Sequence, residues 1–110
     1  VTARILVTGV SGQVGFELAR TLRALPGAIE VITSAEPGQP CDVPMDLSQP
    51  DTLAEVVRRV APTLIVNPAA YTAVDKAEDE PDLARRVNAD SPGVLAAEAA
   101  RAGAPIVHYS

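Results

Sequence analysis

A chain of 110 residues with a formal net charge of −5 and a single Cys has room for one domain or part of a larger one. Hydrophobic residues make up 47% of it and aromatic ones only 3%, so any core is built from Val, Ile, Leu and Ala. The acidic balance excludes a basic grip on nucleic acid, one Cys excludes an intrachain disulfide, and no run approaches the roughly 20 apolar residues of a membrane-spanning helix.

Val1-Thr2-Ala3-Arg4 lacks the basic and apolar regions of an export signal, so a cytoplasmic location is expected. Arg4-Ile5-Leu6-Val7-Thr8 is an apolar, β-branched run, as in a strand buried on both faces. From Gln13 to about Leu25, the residues Val14, Phe16, Leu18, Leu22 and Leu25 fall near a helical period, and Pro26-Gly27 closes the helix. Ile29 to Thr33 reads as a second strand. Ala35 to Pro44, carrying Pro37, Pro40 and Pro44, reads as loop. Ser48 and Asp51 resemble a capping pair for a helix reaching about Val60, with Leu53, Val56, Val57 and Val60 as its buried stripe and Ala61-Pro62 as its stop. Thr63-Leu64-Ile65-Val66-Asn67 is a third strand. A long helical segment runs from Pro81 to Ala102, with Gly103 beyond its end. It is kinked or split at Ser91-Pro92-Gly93, because Pro92 removes an amide donor and clashes with the preceding turn. Pro105-Ile106-Val107-His108-Tyr109 is a fourth strand. Apolar strands alternating with helices predict an α/β fold, a parallel sheet covered on both faces.

Thr8-Gly9-Val10-Ser11-Gly12-Gln13-Val14-Gly15 lies directly between the first strand and the first helix. Gly9 suits the backbone angles of a tight turn, Gly12 lets main chain approach a pyrophosphate, and Gly15 permits close packing of helix on sheet. The free amides and positive dipole end of the helix then face the phosphate charge. The spacing is G-x-x-G-x-x-G, which also occurs in packing turns that hold no ligand; its strand–turn–helix position favours the phosphate. An acidic residue near the end of the second strand would bind the adenosine ribose. Glu36 sits past the usual place, Ser34 suits either cofactor, and no Arg stands there to prefer a 2′-phosphate. NADH and NADPH both stay open.

Five stretches together resemble the extended short-chain dehydrogenase/reductases, and within them the branch acting on dTDP-linked 4-keto-6-deoxy sugars. They are Thr8 to Leu18; Asp46-Leu47 with Ser48-Gln49-Pro50; Val66 to Glu78; Val87-Asn88-Ala89; and Val107-His108-Tyr109-Ser110. The resemblance implies a Rossmann-like doubly wound sheet, of which residues 1–110 supply four N-terminal strands, half of the full sheet. It implies that Gly9, Ser11, Gly12, Gln13, Val14 and Gly15 form the cofactor turn, with Gly9, Gln13 and Val14 on the pyrophosphate, and that Ser34 lies beside the ribose. Asp46 would accept from the adenine amino group while Leu47 flanks the ring. Ala69, Ala70 and Tyr71 would line the cofactor toward its nicotinamide end, with Ser110 beneath the nicotinamide. Thr72 and Val74 match positions facing the nucleotide-sugar. Pro68 is a departure, standing where such enzymes usually carry a small residue, and its missing amide removes one backbone contact. The family also admits a homodimer and a Mg²⁺ ion, with no site for the ion visible in this chain.

Other polar residues have plainer readings. Asp46 also suits a helix start. Asn67 and Asn88 suit side chains that satisfy loop amides. Glu78, Asp79, Glu80 and Asp82 suit a solvated helix start rather than a metal site. His108 reads as a core histidine with one satisfied nitrogen, and Cys41 has no partner that would make it reactive. Carbonyl reduction in the superfamily uses a Tyr-x-x-x-Lys pair, whose four-residue step puts both side chains on one helical face. The only lysine, Lys76, follows Tyr71 by five residues, and Tyr109 is followed by Ser110 alone, so no catalytic residue is assigned in this chain. The chain is therefore expected to be the dinucleotide-binding part of a nucleotide-sugar reductase, with the catalytic and substrate-binding remainder outside it. The alternatives are a non-catalytic NAD(P)-binding regulatory module and another extended reductase or epimerase of nucleotide-sugars.

Overall fold

The computed structural model describes residues 3–68 and 80–108. Five strands, β1 (Ala3–Val7), β2 (Ile29–Ala35), β3 (Val43–Pro44), β4 (Leu64–Asn67) and β5 (Ile106–His108), pair in parallel in the order β3-β2-β1-β4-β5. The α/β reading and its parallel sheet hold, with one correction: among the described residues there are five strands, not four. The extra strand is β3, inside the proline-rich stretch expected to be loop. Main-chain bonds bracket it, from the Asp42 amide to the Thr33 carbonyl at 3.1 Å and from the Met45 amide to the Ala35 carbonyl at 2.9 Å. Pro44 lacks an amide, which an outermost strand tolerates.

Asp42 fastens this edge. Its Oδ2 accepts from the Thr33 amide at 2.9 Å, the Thr33 hydroxyl at 3.0 Å and Arg23 at 3.0 Å. The Thr33 amide, helped by its hydroxyl and the Arg23 guanidinium, holds the Asp42 carboxyl below the ordinary carboxylate range against a smaller opposing effect of burial.

Successive strand side chains point to opposite faces, and the core divides accordingly. On one face Ile5, Val7, Val31 and Val66 pack with Ala19 of α1 (Gln13–Arg23). On the other, Leu6 and Ile65 meet Leu53, Val57 and Val60 of α2 (Leu53–Val60), and Leu95 and Ala99 of the last helix. Leu6, Leu53 and Leu95 are wholly inaccessible, and burial of each stabilises the fold by roughly 1.5–3 kcal/mol.

The face of α1 differs from the expected one. Gly15 and Ala19 are buried and Leu18 and Leu22 are half-buried, whereas Val14, Phe16 and Leu25 are 55%, 57% and 47% exposed. Small residues four apart let the helix axis descend onto β1, which turns the larger apolar residues outward.

Leu53, Val57 and Val60 form the stripe of α2 as expected, but the Ser48–Asp51 cap is absent. A 3₁₀ turn at Pro50–Thr52 leads into the helix, and no side chain caps it. Its C-terminus ends on Ala61 in the left-handed region, at φ 51°. Across this face Glu98, 7% exposed, accepts from Arg58 Nε at 2.7 Å and from Arg101 at 3.3 Å. The Arg58 hydrogen bond, and then its charge, lower the Glu98 pKa.

The long helical segment comprises α3 (Pro81–Arg85), a π turn at Arg86–Asp90, and α4 (Ser91–Ala102), which ends on Gly103 at φ 72°. The wider turn relieves the clash that Pro92 would make with the carbonyl four residues earlier, so the expected kink takes the form of a π turn. No described helix is long and apolar enough to cross a membrane.

Candidate functional site

The chain runs from β1 outward through β2 to β3, then crosses back beside β1 to form β4 and β5. The strand order therefore reverses between β1 and β4. Ligands of open α/β sheets bind outside the carboxyl ends of the strands at such a switch point. A cleft of about 480 Å³ lies there.

Gly9, Ser11, Gly12, Gln13, Val14, Gly15, Ser34, Asp46 and Leu47, the described members of the expected cofactor set, all line this one cleft. Ala69, Ala70, Tyr71, Thr72, Val74 and Ser110 lie outside the described residues, as do Lys76 and Tyr109.

The turn is built by its glycines and by main-chain bonds. Gly9 sits at φ 65°, in the left-handed region. The Gly12 amide donates to the Gly9 carbonyl at 3.0 Å, and the Val10 amide ties the turn to the Ser34 carbonyl at 3.0 Å. A Cβ on Gly15 would stand 2.2 Å from the Gly9 oxygen, so only glycine lets α1 approach this closely. A Cβ on Gly12 would meet the same oxygen at 3.4 Å, an ordinary contact, so the turn itself does not forbid a side chain there. Gly12 occupies the N-cap position of α1 with no capping side chain, and the first helical turn carries no acid. The leading amides and the positive end of the helix are therefore left for a ligand anion.

The walls are polar and partly fixed. Ser34 is 1% exposed, and its Oγ finds no hydrogen-bond partner among the described residues. Asp46 Oδ1 accepts from the Ser48 amide at 3.0 Å and from the Ser48 hydroxyl at 2.5 Å. Ser48 thus braces Asp46 rather than pairing with Asp51. The buried Ser91 hydroxyl donates to the Leu47 carbonyl at 2.6 Å, anchoring this wall to α4.

Below the cleft, Thr8 donates to the Oδ1 of buried Asn67, whose Nδ2 lies 3.0 Å from His108 Nδ1. Asn67 is structural as expected, though its partners are a hydroxyl and an imidazole rather than loop amides. His108 has one nitrogen engaged but is exposed, because β5 is the outer described strand on that side. Among the described residues no group of three His, Cys, Asp or Glu side chains could hold a metal.

Sequence reasoning missed Ala35, Met45, Ser48 and Val87 as lining residues. Met45 and Ser48 flank Asp46 and were legible by adjacency. Val87 reaches the cleft from the π turn, and no local periodicity signals that.

The family described as RmlD substrate binding domain matches residues 3–110. The chain belongs to this family. It is 47% identical over 107 residues to the dTDP-4-dehydrorhamnose reductase of Burkholderia thailandensis, covering 97% of this chain and 33% of the relative. A structure described as a hypothetical dTDP-4-dehydrorhamnose reductase from Sulfolobus tokodaii superposes with a TM-score of 0.84 at 33% identity, covering 96% of this chain and 38% of that one. The dTDP-4-dehydrorhamnose reductase of Bacillus anthracis, solved in complex with NADP, superposes with a TM-score of 0.79 at 30% identity, covering 96% and 35%. The RmlD-family chain described above thus spans about a third of the length of its relatives.

Proposed function

We propose that this chain is the NAD(P)H-binding part of a reductase that converts dTDP-4-dehydro-6-deoxy-L-mannose (dTDP-4-dehydrorhamnose) to dTDP-L-rhamnose. The observation that carries the reading is the uncapped, acid-free N-terminus of α1, opening beside Gly9 and Gly12 into a cleft at the switch point of the sheet. The residues fit a dinucleotide. Amides at the start of α1 suit the pyrophosphate, the Ser34 hydroxyl, without a partner among the described residues, suits a ribose oxygen, and Asp46, braced by Ser48, suits the adenine amino group with Leu47 against the ring. The relatives' names supply the substrate, and the NADP complex of the Bacillus anthracis protein supports the cofactor class.

Ala69, Ala70, Tyr71 and Ser110 belong to this proposal at the nicotinamide end, and Thr72 and Val74 on the sugar side. A bound reduced nicotinamide supplies the hydride for a sugar carbonyl. This chain's task is to hold the dinucleotide in a fixed pose, since it contains no Tyr-x-x-x-Lys pair to supply a proton.

Calorimetric titration of the protein with NADPH and NADH tests the reading. Gly12→Val adds a branched side chain to the turn assigned to the pyrophosphate and is expected to weaken binding at least about tenfold, or about 1.4 kcal/mol. Unchanged binding by that variant would remove the phosphate role from the turn.

A further inference from the structure

At the carboxyl end of the sheet one row of side chains turns from apolar to polar. Leu6, Ile65 and Ile106 stand side by side on β1, β4 and β5. Two residues further along the chain from each, on the same face, stand Thr8, Asn67 and His108. Thr8 and Asn67 are each 1% exposed, Thr8 lines the cleft, and His108 opens to solvent.

The bonds along this row have a direction. Asn67 Oδ1 accepts from the Thr8 hydroxyl, which leaves the amide Nδ2, a donor only, 3.0 Å from His108 Nδ1. His108 Nδ1 therefore accepts, so the imidazole here is neutral with its proton on Nε2. The same atoms allow the opposite direction. Once Nδ1 carries a proton, the Asn67 amide turns over, Oδ1 accepts from His108 and Nδ2 donates to the Thr8 oxygen. The Thr8 O–H is then released from Asn67. The elements packed against β5 are β4, which has no ionisable side chain, and α4, whose Glu98 and Arg101 bond each other while Glu98 also holds Arg58. The ionisable groups lining the cleft itself are Glu36 and Asp46.

We propose that His108 is a positioning residue for anion binding in the cleft, acting through Asn67 on the Thr8 hydroxyl. The proposal rests on the dinucleotide reading of the cleft. Protonation of His108 reverses the row, and Thr8 changes from a hydroxyl whose proton is held by Asn67 to one that donates toward the cleft. A donor there favours a pyrophosphate oxygen, so affinity rises as pH falls through about 8 to 5, the range in which imidazoles gain charge. The coupling is reciprocal: a bound dinucleotide favours the protonated imidazole.

Calorimetric titration with NAD⁺, whose pyrophosphate keeps both its charges over this range, tests the coupling. The native protein should bind it at least about threefold more tightly at about pH 5.5 than at about pH 8. Thr8→Val keeps the shape and removes the hydroxyl, and His108→Gln leaves Asn67 a partner that cannot charge; each should bring the ratio close to one. His108 is exposed, so His108→Gln serves even where loss of the buried hydroxyl unfolds the chain. Nitrogen-15 spectra of the native protein's only histidine should show the Nε2–H form at about pH 8. An Nδ1–H form there, or a native ratio close to one, overturns the proposal and leaves the cofactor site standing. So does a ratio that survives either substitution, as it would if protonation of Glu36 and Asp46 alone eased anion binding. Failure of the native protein to bind NAD⁺ at either pH overturns both readings.

Discussion

Gly15→Ala is the most direct perturbation of the way α1 meets the sheet. The added Cβ would lie 2.2 Å from the Gly9 oxygen, 2.7 Å from its carbonyl carbon and 3.0 Å from the Thr8 oxygen. All three are backbone atoms, so no rotamer change relieves the clash. Helix and turn must part by more than an ångström to restore the 3.4 Å contact that a Cβ on Gly12 makes with the same oxygen. Overpacking of this kind costs about 1–3 kcal/mol, and rigid opponents place it at the upper end. Alanine's better helix propensity offsets up to about 1 kcal/mol, leaving a net loss of about 2 kcal/mol. Gly12→Ala is the control: it has room, and loses only about 0.5–1 kcal/mol from a poorer N-cap. In urea unfolding with an unchanged slope, Gly15→Ala should lower the midpoint by about 1 M, and Gly12→Ala by less than half of that. A Gly15→Ala midpoint equal to the native one, or a larger loss for Gly12→Ala, would refute the packing argument.

Two further outcomes concern stability away from the cleft. Ala61 holds a left-handed conformation at φ 51° on an exposed site, which costs an L-residue about 1–2 kcal/mol. Ala61→Gly should therefore raise stability by about 0.5–1 kcal/mol after the glycine's own entropy cost, read as a higher melting temperature; an unchanged or lower one contradicts it. The carboxyls of Asp42 and Glu98 are both held below their ordinary values of 3.8 and 4.5. Their contribution is complete above those values and is lost as pH falls through the depressed folded-state ones. The urea midpoint should drop between about pH 5 and about pH 2, and Asp42→Asn with Glu98→Gln should flatten that drop. Identical profiles for the native and doubly substituted proteins would show that these ion pairs carry no pH dependence.

The parallel sheet was legible because its central strands are apolar on both faces, and the glycine turn because φ 65° at Gly9 and the contact at Gly15 leave few other residues that would serve. The hidden parts are those where tertiary contacts override local pattern. β3 forms in a proline-rich stretch because Asp42 pairs with Thr33 nine residues away, a bond with no local periodicity. Phe16 keeps a helical spacing yet faces solvent, because Gly15 and Ala19 set how close the helix comes and thereby its rotation. The second strand was read too short, to Thr33, whereas it continues through Ala35 and leaves Glu36 as the first residue beyond it.

The π turn at Arg86–Asp90 makes the distance along the chain a quantity that matters in its own right. Beyond it, α4 is pinned by Ser91 to the Leu47 carbonyl and by Leu95 in the core, while within it Val87 reaches the cleft. Each residue of an α-helix advances the side chains by about 100°, so removing one residue between those anchors would swing Val87 off the cleft wall without altering any side chain named here. The count of residues between Val87 and Ser91 is thus as much a part of the site as their identities.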